Sequence, residues 1–171
     1  RRGDPYTMMS TTGTILLMAF RPDVNIGLEN YTPLALFCID PQTIMVAADS
    51  PIKTFKDLMD TIRRAPESVT GATTSPSGTG RMVIWLMEKQ AGTKIKFVNF
   101  KGGGEAVTSV AVGHTTFTTE NLSEGLSFVE SKKLRVLAIA ADKRLPQAPD
   151  VPTLQELGYP ITAGTSRGFS F

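Results

Sequence analysis

The spacing of apolar residues changes period repeatedly along this chain, and each change marks a boundary between a predicted strand and a predicted helix. Residues 31–38 and 43–48 are nearly unbroken β-branched and apolar runs, the pattern of strands, and residues 6–9 open the chain with a shorter one. Between residues 55 and 65, Phe55, Leu58, Met59 and Ile62 recur at helical spacing; Thr54 stands as N-cap, with Asp57 three positions on. Pro66 and Glu67 close that helix, and residues 69–72 read as a short strand. A second helix is predicted over residues 80–90, burying Met82, Ile84, Trp85 and Met87 or a subset, with Ala91-Gly92 as its stop. Residues 94–100 alternate as a strand does. A helix over 106–112, a Thr-rich strand over 115–119, a helix over 121–131 and a strand over 134–140 follow. After Ala141 the texture changes: Pro146, Pro149 and Pro152 predict an extended connection, and residues 153–158 a short capped helix ended by Gly158. Strands alternating with helices imply an α/β fold.

Three of the connecting loops have the same character. Ser10, Thr11, Thr12, Gly13 and Thr14 form the first, residues 73–80 with Ser75, Ser77, Gly78 and Thr79 the second, and Lys101, Gly102, Gly103, Gly104 and Glu105 the third. Each follows a predicted strand and opens or precedes a helix. The first turn of a helix carries unpaired N–H groups and the positive end of the helix dipole, so small residues there let an anion approach closely. Strand-to-helix turns also need small residues for purely structural reasons, so one such loop decides nothing; three together point to carboxylate binding. The triple glycine is not followed by Gly-Lys-Ser/Thr, which excludes a phosphate-binding P-loop, and Ser77-Gly78-Thr79-Gly80 lacks the flanking pattern of a dinucleotide fingerprint or nucleophile elbow.

Composition narrows the classes further. With 41% apolar and 20% charged residues the chain is expected to fold around a core, and at 171 residues it has room for one ordinary core or two small lobes. A net charge of +2 without like-charge runs gives no footprint for nucleic acid. The longest apolar stretch, residues 15–20, is far below the roughly 20 residues of a spanning helix. No secretory leader opens the chain, which leaves a cytosolic protein, a processed export product or an excised fragment as readings. Cys38, between Phe37 and Ile39, is expected to be a buried small hydrophobe, and the other core fillers include Met8, Met9, Met82 and Met87. His114 is the sole histidine and is expected in a polar surface role. No carboxylate and histidine cluster has metal-ligand spacing, and Asp57 with Asp60 reads as a cap and a solvated face, so neither catalytic residues, a metal nor a cofactor is expected.

Five segments carry a family resemblance. Asp4-Pro5-Tyr6-Thr7, Asp49-Ser50-Pro51-Ile52-Lys53-Thr54-Phe55-Lys56-Asp57-Leu58, Phe100-Lys101-Gly102-Gly103-Gly104-Glu105-Ala106, Lys133-Leu134-Arg135-Val136-Leu137-Ala138 and Asp150-Val151-Pro152-Thr153-Leu154-Gln155-Glu156-Leu157-Gly158-Tyr159-Pro160 resemble, in order, the solute receptors of tripartite tricarboxylate transporters, the TctC or Bug family. The last segment is the most specific. The resemblance covers nearly the whole chain, and since the receptors are longer at both ends it implies an internal piece of one.

What the resemblance implies is a two-lobed, periplasmic-binding-protein-like α/β fold of the type II, Venus-flytrap kind, its first lobe incomplete. Residues 1–45 would belong to lobe 1, 46–134 would form lobe 2, and 135–171 a crossing strand and the return to lobe 1, with the strands at 43–48 and 134–140 crossing between lobes. It further implies a periplasmic receptor, monomeric at full length, that captures a small organic carboxylate and delivers it to a membrane permease, without cofactor or nucleic acid. Carried over by position, the ligand residues would be Ser10, Thr11, Thr12, Gly13 and Thr14; Ser75, Ser77, Gly78 and Thr79; Gly102, Gly103, Gly104 and Glu105; and Thr118, Glu120 and Asn121 beside Thr119. Two departures bear on the ligand. Val112-Gly113-His114-Thr115-Thr116 replaces an expected Gly-Gly-x-Val-Asp, and Arg81 and Ile84 stand where Ser and His are common, so an added cation would favour a dianionic or bulkier aromatic acid. Two other classes share features with this pattern: the effector-sensing domain of a transcription regulator, and a hydrolytic enzyme.

Overall fold

A computed structural model describes residues 8–13 and 31–170. They fall into two compact units, one made of the residues up to Asp40 with those from Thr165 on, the other of Pro41–Gly164.

In the first unit β1 (Met9–Thr12) pairs antiparallel with β8 (Gly164–Ser170), and β2 (Pro33–Pro41) lies on the other side of β8. Ser10, Thr11 and Thr12, expected in a loop, are therefore strand residues, opposite Phe169, Gly168 and Arg167. The hydroxyl-rich sequence hides a strand because Thr is β-branched and its side chain suits a pleated surface. Cys38 is half-buried rather than buried, since its strand is at a sheet edge and its neighbours Phe37 and Ile39 are 55% and 66% exposed. Residues 6 and 7 of the first predicted strand, and the apolar stretch at 15–20, lie outside the described residues.

The second unit is a mixed five-stranded sheet in the order β5-β4-β6-β3-β7, built of β3 (Thr43–Ala47), β4 (Thr70–Thr73), β5 (Lys96–Asn99), β6 (Phe117–Thr118) and β7 (Leu134–Ile139). β4 runs parallel to β5 and β6, and β3 is antiparallel to β6 and β7. Helices cover both faces. Ile44 and Val46 of β3 join Phe55, Leu58, Met59 and Ile62 of α1 (Phe55–Arg64) and Val83, Ile84 and Met87 of α2 (Thr79–Ala91) in one core cluster, with Phe117 among them. Met45, between them in sequence, points the other way and packs with Ala106, Val107 and Val110 of α3 (Gly103–Ala111) and Leu134. Burial on both faces is why residues 43–46 read as an unbroken apolar run rather than an alternating one. α4 (Leu122–Glu130) completes the set.

α1 begins as its sequence predicts. Thr54 accepts from the Asp57 N–H at 3.1 Å while the Asp57 carboxylate accepts from the N–H groups of Thr54 and Lys53. Thr54→Ala removes that cap and is expected to lower stability by about 1 kcal/mol, read as a shift in urea midpoint with unchanged slope.

One helical expectation is narrowed and another corrected; of the α2 residues expected to be buried in whole or in part, Ile84 and Met87 are. In α2, Met82 and Trp85 are both 42% exposed, and Glu88 is buried in their place because Arg81 and the Ile95 N–H pair with its carboxylate. Residues 153–158 form turns rather than a helix: Thr153 and Glu156 cap each other, but Gly158 enters the left-handed region at φ +84 and the Tyr159 N–H closes back on the Leu154 carbonyl.

Candidate functional site

The carboxyl ends of β4, β6 and β5 lie side by side, since Thr73 pairs with Asn99 and Ala72 with Thr118 in parallel register. The segments that leave them are residues 74–78, 100–102 and 119–121. In open α/β sheets this is the edge where ligands bind, because several loops and helix starts open there together. Hydrogen bonds tie the segments to each other. The Phe100 N–H donates to the Thr73 carbonyl at 2.8 Å, the Thr119 N–H to Ala72 at 3.3 Å, and the Thr119 hydroxyl to the Gly80 carbonyl at 3.0 Å.

Beneath them the residue that precedes β3 supplies an anchor that the sequence reading missed. The Gln42 side-chain amide donates to Thr79 Oγ1 at 3.2 Å and to Asn121 Oδ1 at 3.0 Å, so one buried residue holds the starts of α2 and α4 together. The Thr43 N–H and hydroxyl both donate to the Glu120 carbonyl, at 2.9 and 2.8 Å. A glutamine at the head of a buried apolar run was the available signal, because such a residue is retained where its amide is bonded on both sides.

The two helix starts at this edge differ electrically. α3 has acids of its own: Glu105 in its first turn accepts from the Lys101 N–H at 3.2 Å, and the Glu124 carboxyl lies where a side chain on Gly103 would be, 2.8 Å from that Cβ position. α2 has none. Its cap is Gly78, no side chain caps it, its first turn holds no acid, and its first helical bond is Met82 N–H to Gly78 carbonyl, leaving the N–H groups of Thr79, Gly80 and Arg81 ahead of the ladder. Among the described helices, α2 is the one whose positive pole lacks a resident carboxylate. A cavity of about 320 Å³ lined by Ser77, Gly78, Arg81 and Trp85 adjoins this helix start.

Of the residues expected to bind ligand, Ser75, Ser77, Gly78, Thr79, Gly102, Gly103, Gly104, Glu105, Thr118, Glu120 and Asn121 come to this one edge. Thr118 is fully buried and its hydroxyl is bonded to the Ala72 carbonyl, so it holds strands together. Ser10, Thr11, Thr12 and Gly13 belong to the first unit, where Thr11, Thr12 and Gly13 line a cavity of about 460 Å³ with Tyr31, Ser166 and Phe169. Thr14 lies outside the described residues. Arg81 is partly committed within the fold: its Nη2 pairs with Glu88 at 3.1 Å and its guanidinium stacks over the Phe97 ring at 4.4 Å, while its Nη1 is buried with no hydrogen-bond partner among the described residues. Ile84 is in the core.

Glu120 is the one acid buried at this edge, 5% exposed. Thr74 bonds its carboxyl through both hydroxyl and main chain, yet burial, reinforced by Glu124, pushes its pKa above the ordinary glutamate value. A raised value in the folded state means that the ionised form is penalised by folding. The penalty operates above the folded pKa, shrinks as pH falls through it, and vanishes near the ordinary value of 4.5, where the unfolded chain protonates too. Glu120→Gln is therefore expected to raise the thermal midpoint relative to wild type at pH 8 and to lose most of that advantage by pH 4.5. A difference that stays constant across this range would contradict the assignment.

Residues 2–169 match the TctC family, described as Tripartite tricarboxylate transporter family receptor. The chain belongs to that family. Among curated relatives it is 26% identical over 161 residues to BugT of Bordetella pertussis, covering 92% of this chain and 49% of that protein. Two solved structures share the fold: an R. palustris protein with adipate (23% identity, TM-score 0.88, 98% of this chain and 57% of that one) and MatC from Rhodopseudomonas palustris with bound malate (21%, 0.83, 96% and 57%). The fold class is thus that of the TctC periplasmic binding proteins, which are two-lobed. This TctC-family chain spans about half the length of the curated relatives it matches.

Proposed function

We propose that this TctC-family chain belongs to a periplasmic receptor that binds a small organic carboxylate and hands it to a membrane permease, and that it is not an enzyme. The observation that carries the reading is the uncapped start of α2, with three free N–H groups and no acid in its first turn, at the carboxyl ends of three adjacent parallel strands. One ligand carboxylate would be received there by the Thr79, Gly80 and Arg81 N–H groups with the Thr79 and Ser77 hydroxyls beside them. Adipate and malate, held by two proteins of the same fold, are both small dicarboxylates. In this reading residues 46–134 form the second lobe, residues 1–45 and 135–171 contribute to the first, and closure of the lobes signals occupancy to the permease.

A thermal-shift screen of the intact protein against mono-, di- and tricarboxylic acids tests this. A ligand bound by the native state alone stabilises by about 2.7 kcal/mol at a hundred times its Kd, a rise of several degrees. Absence of any rise across the set would sink the proposal.

A further inference from the structure

At the edge that holds the α2 start, Glu120 Oε1 is buried and has no hydrogen-bond partner among the described residues. Its backbone is fixed by Thr43, which donates twice to its carbonyl, and its carboxyl is tied to Thr74, in the segment that leads to α2. Thr119, the preceding residue, has its carbonyl 2.9 Å from where a Cβ on Gly80 would sit, so Glu120 follows directly on the helix start in space. The charged group acting on it is another acid, Glu124 of α4, and neither Lys, Arg nor His is among its partners. A buried acceptor left open in this way is costly, and a ligand donor that reaches it recovers the loss.

We infer that the ligand carries a hydrogen-bond donor, a hydroxyl or an ammonium, close to the carboxylate received by α2, and that Glu120 Oε1 accepts from it. The inference rests on the α2 start being the carboxylate pole, and adds the second half of the site: an anion-seeking helix end beside a donor-seeking acid. The preferred solutes are then hydroxy or amino acids over plain acids of the same length. Glu120 is the residue that sets the preference.

The test is isothermal titration of the intact protein with matched acids of four to six carbons: succinate, malate and aspartate; glutarate, 2-hydroxyglutarate and glutamate; adipate and 2-aminoadipate. Within the length that binds, the donor-bearing acid should bind at least about tenfold tighter than the plain one, as a hydrogen bond to a charged group allows. Glu120→Gln should bring the two within about threefold while the protein stays folded by circular dichroism. Glu120→Asp, which keeps the charge on a shorter arm, should retain part of the preference. A larger gain for the ammonium acid than for the hydroxy acid identifies the donor as ammonium, and the reverse identifies hydroxyl. If plain acids bind as tightly as donor-bearing ones, and Glu120→Gln leaves the ratio unchanged, the inference is overturned while the carboxylate reading stands. If no acid in the set binds wild type, both fall.

Discussion

Phe117→Ala is expected to cost about 3–5 kcal/mol and to lower the thermal midpoint by roughly 10 °C or more, measured by circular dichroism or calorimetry. Phe117 is fully buried on β6, the central strand of the five, where its ring meets Gly71 of β4 so closely that a Cβ on that glycine would be 3.0 Å from it. It belongs to the cluster that joins α1 and α2 to the sheet, so the void would open in the middle of the larger unit and could not collapse onto solvent. Because Thr119 and Glu120 follow directly on β6, organic-acid binding should weaken in parallel. A cost below 1 kcal/mol would mean that this strand does not organise the core.

Gly80→Ala is the second. Alanine in place of glycine within a helix is ordinarily worth about 1 kcal/mol of stability. Here the new methyl would fall 2.7 Å from Thr73 Oγ1, 2.9 Å from the Thr119 carbonyl and 3.0 Å from Thr119 Oγ1. The carbonyl is backbone and cannot swing aside. Overpacking of this kind costs about 1–3 kcal/mol, more than the propensity gain, so the variant should be destabilised by up to about 2 kcal/mol. Its larger effect should fall on ligand: α2 must shift away from β6, and affinity for organic acids should fall at least about tenfold. Gly104→Ala makes the contrast for stability, because nothing lies within 4 Å of its Cβ position in α3. There the propensity gain should appear alone, as a rise of a few tenths to about 1 kcal/mol. Equal effects at the two sites, by denaturant titration, would contradict the packing argument.

The contrast also shows what the sequence could disclose. Local signals survived into the structure: the Thr54 and Asp57 capping box, Gly92 as the stop of α2, and the strand at residues 43–47. Those depend on neighbours a few positions apart. What depended on distant partners was hidden. Which members of the α2 set are buried could not be read locally: Trp85 is 42% exposed, and Glu88, on which the sequence was silent, is buried because the fold brings Arg81 and the Ile95 N–H to it. β8 gave no strand signal, since Gly164, Gly168 and two serines dilute its apolar pattern, and it exists through pairing with β1 far away in sequence. At the site the small-residue loops were legible one by one. Their difference was not: that Glu124 serves the glycine loop and leaves α2 open follows from α3 and α4 packing side by side. Gln42, whose amide joins Thr79 to Asn121, stood out in sequence only as a polar residue beside a strand.

The central claim, that a ligand carboxylate sits on the first turn of α2, is met most directly by following backbone amides in ¹⁵N-labelled intact protein as the best-binding organic acid is added. The Thr79, Gly80 and Arg81 amides should move downfield together, saturating at the Kd found by calorimetry. Saturable binding that leaves those three signals in place while others shift would contradict the account.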